Sequence, residues 1–228
     1  MQPEIRYTTM PAYALDQNRV LRNTYWLLGL TMIPTVIGAF VGMGTNFAFL
    51  AHSPLVGSLV MLAVMFGLMF AVSATRNSSL GVLFLLIFTG AAGWFLGPIL
   101  QVALHLRNGP ELIGMAAGGT GAIFLTLAGI ATVTKRDFGF MGNFLFIGLI
   151  LLIIASIANI FLHVPAASLA ISAIAILIFA GYILFDVSQI VHGGETNYIM
   201  ATLTLYLDIY NIFVNLLSLL MALSGDRD

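Results

Sequence analysis

The strongest constraint on this chain is its succession of apolar runs, each close to 20 residues long and separated by short charged or turn-rich breaks. A bilayer core about 30 Å thick requires roughly 20 helical residues to cross it. Only 7% of the 228 residues are charged, whereas a soluble domain usually carries about a quarter. The runs are continuously apolar and lack the alternation of a membrane barrel strand. The sequence therefore predicts an all-α, polytopic membrane protein.

The breaks between the runs predict seven transmembrane helices. They leave a polar tail over residues 1–23, a membrane domain over residues 24–223 and a short tail over residues 224–228. The connections are too short to fold separately, so any function must lie within the helix bundle or at its rims. The predicted spans are 24–44, 55–74, 80–104, 112–134, 142–162, 166–190 and 199–223.

Lysine and arginine are unevenly distributed among the predicted loops, and cytoplasmic loops are the ones that collect them. A cytoplasmic N-terminus places six basic residues inside and two outside, and the odd number of spans then places the C-terminus outside. The inner set is Arg6, Arg19, Arg22, Arg76, Lys135 and Arg136, and the outer set is Arg107 and Arg227.

Several classes of protein are excluded by what the sequence contains. It has no cysteine, which removes disulfides, thiolate catalysis and cysteine metal sites. Its net charge of -1 and its scattered basic residues give no nucleic-acid-binding stripe. It carries no zinc-protease spacing, nucleophile elbow or phosphate loop. We therefore expect neither an enzyme nor a protein with a resident cofactor or structural metal.

Two acidic residues lie inside predicted spans, where an ionisable group is costly and by default indicates function. Asp186 lies near the inner end of the sixth span, and Asp208 lies about nine residues into the seventh. The two spans are joined by a short connection and must be antiparallel neighbours, so the carboxyl groups are expected to meet. Two adjacent charges in a low-dielectric bundle repel, which favours a pair that shares one proton. The alternative is a static buried pair or a counter-ion to an arginine, for which Arg76 is the nearest candidate.

The seventh span also carries a polar stripe, whose members recur at steps of four, three, four and three and so share one helical face. A polar face on an apolar helix must point into the bundle, which predicts a central C-terminal helix with the other six surrounding it. The asparagine and serine members could equally serve only as hydrogen bonds between helices. The stripe consists of Thr204, Asp208, Asn211, Asn215 and Ser218.

Small residues at helical spacing occur in three spans and allow neighbouring backbones to approach closely. Packing between helices is the simplest interpretation of these pairs. Pro34 and Pro98 also lie inside spans and are expected to bend them. The glycine pairs are Gly38 with Gly42, Gly93 with Gly97, and Gly114 with Gly118.

Six segments of the chain resemble the Bax inhibitor family of transmembrane proteins, and the match continues into its proteobacterial YccA branch. The resemblance covers essentially the whole chain. It implies a bacterial inner-membrane protein in which six helices surround the C-terminal one. The segments are Ala158 to Leu162, Ile183 to Asp186, His192 to Tyr198, Leu205 to Phe213, Val20 to Tyr25 and Leu96 to Leu100.

The resemblance implies two functions. Members of the YccA branch are associated with the membrane-anchored protease FtsH, which they bind and restrain. Members of the calcium-leak type use two aspartates in the last two helices to sense pH and gate a cation leak, and Asp186 and Asp208 occupy those motif positions. In that type an arginine close to the place of Arg76 pairs with the first aspartate in the closed state. A transporter or intramembrane enzyme built on the same aspartates is the remaining alternative.

The resemblance also sets the expected partners. They are FtsH, the lipid bilayer and protons, together with a calcium ion held transiently at Asp186 and Asp208. No permanently bound cofactor is expected.

Overall fold

The structure is a computed structural model that describes residues 12–47 and 54–225, and this part of the chain contains helices and no β-strand. Seven segments are long and apolar enough to cross a bilayer, which confirms the predicted number of spans. The helices are α1 (Ala12–Met43), α2 (Pro54–Ala74), α3 (Ser79–Phe95), α4 (Gly97–His105), α5 (Gly109–Thr134), α6 (Gly142–Leu162), α7 (Pro165–His192) and α8 (Tyr198–Gly225).

The first and third spans differ in detail from the prediction. Helix α1 begins at Ala12 rather than at residue 24, because hydropathy locates the membrane core and does not locate a helix end. The third span is divided at Leu96 into α3 and α4. Pro98 lies in the first turn of α4, where its missing N–H removes a helical hydrogen bond and allows this break.

The C-terminal helix α8 lies at the centre of the bundle, and it contacts α1, α2, α3, α4, α5 and α7. Its side chains Leu205, Tyr206 and Ile212 are fully buried in the core. The predicted all-α fold with seven spans is confirmed, and the fifth span, α6, differs from the others in having no close backbone approach to α8. Among the described residues, α6 packs only on α7 and on the short 3-10 turn Gly139–Met141. Because α6 is almost entirely apolar, lipid can solvate the faces of this helix that do not touch protein.

The connection between α7 and α8 fixes this pair of helices as an antiparallel hairpin. Gly193 ends α7 with φ 78°, a left-handed conformation that favours glycine. The Asn197 side-chain oxygen accepts hydrogen bonds from the N–H groups of Ile199 (3.0 Å) and Met200 (3.1 Å), which caps α8. The Asn197 amide also donates to the Arg76 carbonyl at 2.9 Å. The hairpin is thereby tied to the loop between α2 and α3.

Candidate functional site

The two intramembrane aspartates lie on facing sides of the α7–α8 hairpin. Asp186 lies six residues before His192 at the end of α7, and Asp208 lies ten residues after Tyr198 at the start of α8. At roughly 1.5 Å per residue, these positions are about 9 Å and 15 Å from the same end of the bundle. Their carboxyl groups lie within side-chain hydrogen-bonding range of each other. The structure therefore brings the predicted pair together.

The two carboxyl groups differ in burial. Asp208 is only 5% exposed, and its Oδ2 atom is buried without a hydrogen-bond partner. Asp186 is partly buried and also interacts with the Thr204 hydroxyl group. Two ionised carboxylates in contact repel, and burial of Asp208 weakens the screening of that repulsion. This geometry favours one proton held between the two groups.

Two further groups surround the pair, and neither supplies positive charge. Tyr182 lies one turn before Asp186 and within electrostatic range of both carboxyl groups. Glu195, in the hairpin connection, acts on Asp186. The spacing of four residues from Asp186 is the sequence signal that could have identified Tyr182. The negative charge of Glu195 makes it less favourable for both aspartates to be ionised, and Tyr182 supplies no positive charge that would compensate.

Arg76 does not approach the pair in this structure. Its side chain is exposed, and its only described contact with the hairpin is the backbone carbonyl that accepts the Asn197 amide. In the described ranges, neither Asp186 nor Asp208 has an arginine or lysine among the groups that interact with it. The predicted counter-charge is therefore not in place here.

The polar stripe of α8 is less uniformly inward than the sequence predicts. Thr204 is exposed, whereas Asp208 is buried. The other three members are partly buried and hydrogen-bond within α8 itself, rather than between helices. Each donates to the carbonyl one turn earlier at 2.8 Å: Asn211 to Leu207, Asn215 to Asn211, and Ser218 to Val214.

Asn211 also borders a small cavity of about 280 Å³ between α2, α3 and α8. Most of the surrounding side chains are apolar, among them Met61, Met65 and Phe95. The residues of α8 that line the cavity run from Tyr206 to Asn211, so it lies at the depth of Asp208 in the bundle. Its polar edge is formed by Asn211 with Tyr206 and Tyr210.

The pair has donors suited to a proton or a hard cation. Asp186, Asp208 and Thr204 supply carboxyl and hydroxyl oxygens, the ligand type that calcium prefers. Calcium takes six to eight oxygens, so water would have to complete its shell here. Within the described residues, no group of three or more histidine, cysteine, aspartate or glutamate side chains converges as a metal site.

Comparison with known proteins gives one family and a set of bacterial relatives. The family model described as inhibitor of apoptosis-promoting Bax1 matches residues 17–225. An uncharacterized membrane protein of Vibrio cholerae is 43% identical over 218 residues, which cover 96% of each chain. The Modulator of FtsH protease YccA of Escherichia coli strain K12 is 44% identical over 212 residues, covering 93% of this chain and 94% of that protein.

Proposed function

The chain belongs to the Bax inhibitor family, and from this premise we propose that it binds the membrane protease FtsH and restrains its activity. The observation that carries this proposal is the 44% identity to a named FtsH modulator over nearly the full length of both chains. The described chain forms seven apolar spans joined by short connections, which supports a partner that meets the protease in or at the membrane. The proposed role involves no catalytic step.

The proposed location is the bacterial inner membrane, with the N-terminus in the cytoplasm and the C-terminus in the periplasm. The bias of basic residues supports this orientation. Arg76, Lys135 and Arg136 lie in connections at one end of the bundle, and Arg107 lies at the other. The connection between α7 and α8 and the N-terminal end of α1 lie at the same end of the bundle as Arg76. In the proposed orientation, the cytoplasmic part of FtsH would contact these segments.

Co-purification tests the proposed partner directly. The tagged full-length chain, extracted in mild detergent from cells that contain FtsH, is expected to retain the protease. Added to FtsH in proteoliposomes, it should slow degradation of a membrane substrate. Removal of residues 1–11 leaves α1 from Ala12 onward intact and tests whether this part of the N-terminal tail contributes to FtsH binding. Absence of both binding and inhibition with the full chain would refute the proposal.

A second candidate function is a pH-gated calcium leak, which the contact between Asp186 and Asp208 favours. With the shared proton present, the pair holds α7 against α8. Loss of that proton leaves two repelling carboxylates, which loosen the hairpin or bind a hard cation through their oxygens. The leak is therefore expected to increase as the pH is raised. Calcium and protons are partners in this function only as transient ligands of the pair.

Calcium flux into liposomes that contain the purified chain tests this second function. The wild type should give a flux that depends on pH, and Asp186→Asn and Asp208→Asn should each flatten that dependence. Glu111→Gln is the matched control, because Glu111 is exposed at the opposite end of the bundle. An unchanged pH response in both asparagine variants would eliminate the mechanism and leave the proposed FtsH role untouched.

A further inference from the structure

Two side chains near the end of α7 hold the connection between α5 and α6. We call residues 135–138 the α5–α6 connection; they follow the last residue of α5 and precede the short 3-10 turn before α6. The buried hydroxyl group of Ser188 accepts the Phe138 N–H at 2.9 Å and donates to the Arg136 carbonyl oxygen at 3.4 Å. His192, one helical turn after Ser188, is exposed and reaches the same connection with its ring.

Both ring nitrogens of His192 face carbonyl oxygens. Nδ1 lies 2.8 Å from the Ser188 carbonyl oxygen, and Nε2 lies 3.1 Å from the Lys135 carbonyl oxygen. A carbonyl oxygen only accepts hydrogen bonds, and a neutral imidazole carries a hydrogen on one nitrogen only. The positively charged imidazole carries a hydrogen on each nitrogen and can donate to both oxygens at once.

Neither neutral form of the imidazole preserves every bond at this junction. If the hydrogen is on Nδ1, the lone pair of Nε2 faces the Lys135 oxygen, and that bond is lost. If the hydrogen is on Nε2, Nδ1 can accept from the Ser188 hydroxyl group, which lies 3.3 Å away. That hydroxyl hydrogen is then withdrawn from the Arg136 carbonyl oxygen. In either case, loss of the positive charge removes one bond between α7 and the α5–α6 connection.

The backbone of the connection needs such a bond, because Lys135 adopts the left-handed conformation with φ 50°. This conformation is uncommon for a residue other than glycine, asparagine or aspartate. At Lys135 it ends α5 and accompanies the approach of the carbonyl oxygen to His192. Release by His192 therefore leaves the connection without one of the contacts that hold Lys135 in an unfavourable conformation.

The charged side chains on the elements that meet at this junction are balanced in sign. Three are basic and three are acidic, so the two carbonyl oxygens, rather than a net charge, distinguish the charged imidazole from the neutral one. These side chains are Lys135 and Arg136 with Asp137 on the connection, Arg76 in the α2–α3 loop, Glu195 between α7 and α8, and Asp186 on α7, together with the phenol of Tyr198 at the start of α8.

We propose that His192 is a pH-dependent latch for the α5–α6 connection. While the imidazole carries a positive charge, it holds the connection against the end of α7. When the imidazole loses that charge, one bond is lost and the connection is released. Histidine ordinarily changes its charge between about pH 5 and pH 8, so the connection is held at the acidic end of this range and released as the pH rises.

Release of the latch changes the presentation of two exposed basic side chains, Lys135 and Arg136. In the proposed orientation they face the cytoplasm, and the latch then responds to the pH of that compartment. His192 lies six residues after Asp186 along α7, about 9 Å closer to the end of the helix. The latch requires neither FtsH nor the proton shared by the acid pair, so it goes beyond both proposed functions.

Spin-label mobility on the connection tests the latch. The chain has no native cysteine, so Arg136→Cys provides a single labelling site, and the carbonyl group that Ser188 contacts is retained there. With a nitroxide at this site in the full-length chain in liposomes, the ratio of mobile to immobile label should rise roughly threefold from about pH 5.5 to about pH 8. A rise of this size is expected for the loss of one hydrogen bond. An unchanged ratio would overturn the proposal.

Three controls assign the change to His192. In the labelled background, His192→Gln keeps an amide that can donate to Lys135 but cannot titrate, so the ratio should not depend on pH. Asp208→Asn should keep the wild-type change, because the acid pair is not part of the latch. A label at Glu111→Cys, exposed at the opposite end of the bundle, should not respond. A change that survives His192→Gln, disappears with Asp208→Asn or occurs equally at Glu111→Cys would contradict the latch.

Discussion

The two sides of α1 use glycine in opposite ways. On the side of α3, a Cβ atom at Gly38 would collide with the backbone of Gly90, and one at Gly93 would collide with the backbone of Thr35. On the side of α5, Gly29 and Gly121 have no neighbour within 4 Å of such an atom. We name the first side the α1–α3 seam. Glycine in a membrane helix therefore marks a possible close contact, and only the packed structure shows whether the chain itself makes that contact.

Two buried side-chain oxygens of the described residues lack a hydrogen-bond partner, and their surroundings differ. Asp208 Oδ2 belongs to the acid pair between α7 and α8, where a neighbouring carboxyl group can share a proton with it. Thr120 lines an apolar groove of about 950 Å³ between α1 and α5, with α8 as its floor, and its Oγ1 atom is buried among apolar neighbours. We call this groove the α1–α5 groove.

The largest effect is expected from a side chain forced into the α1–α3 seam. Gly93→Leu would push against the Thr35 backbone, which cannot rotate away, so we expect destabilisation at or above the upper end of about 1–3 kcal/mol. Gly29→Leu should leave the melting temperature unchanged, because its site is open. Size-exclusion chromatography and thermal unfolding in mild detergent would measure both. Equal behaviour of the two variants would remove the distinction between seam and groove.

The closed contact between α7 and α8 should become more stable when one charge is removed. At a pH high enough to remove the shared proton, Asp208→Asn ends the repulsion from Asp186 and can donate an amide hydrogen to it. We expect stabilisation by roughly 1–3 kcal/mol, the range for relieving an unsatisfied buried group. Thermal unfolding across pH values above neutrality would detect it, with Glu111→Gln as the exposed control. A lower melting temperature at every pH would mean that the Asp208 carboxylate is needed for the fold.

A moderate effect is expected at the end of the α1–α5 groove where a hydrogen bond of 3.2 Å joins Tyr25 to Thr132. Tyr25→Phe and Thr132→Val each remove one partner of the hydrogen bond that links α1 to α5. A double-mutant cycle should give a coupling energy of roughly 1 kcal/mol. Unfolding measurements on the wild type, both single variants and the double variant provide that number. Strict additivity would show that the bridge does not hold the groove walls together.

The smallest effect on stability is expected inside the groove. Thr120→Val removes a hydroxyl group that has no partner, so no hydrogen bond is lost and the free chain should gain under about 1 kcal/mol. Thermal unfolding of the wild type and the variant in mild detergent measures the change. A marked loss of stability would show that the Thr120 hydroxyl bonds within the chain.

Much of the acid pair could be predicted because its determinants are local. Asp186 and Asp208 lie in consecutive spans joined by a connection too short to allow any arrangement except antiparallel neighbours. Because each aspartate lies only a few helical turns from that connection, both must lie in the same half of the membrane. The contribution of Tyr182 was missed, although it is one helical turn from Asp186. The absence of Arg76 from the pair was not predictable, since its position depends on how the α2–α3 loop is held by Asn197.

The sequence by itself determined the seven spans and the hairpin of α7 and α8, because hydropathy and connection length act along the chain. Tertiary structure alone decided that α6 lies outside the ring of helices around α8. It also decided that the Gly38 and Gly93 positions are filled while Gly118 and Gly121 face open space. The physical reason is that each helix can rotate about its own axis without changing its hydropathy. Which face meets a neighbour is settled only when all the helices pack together.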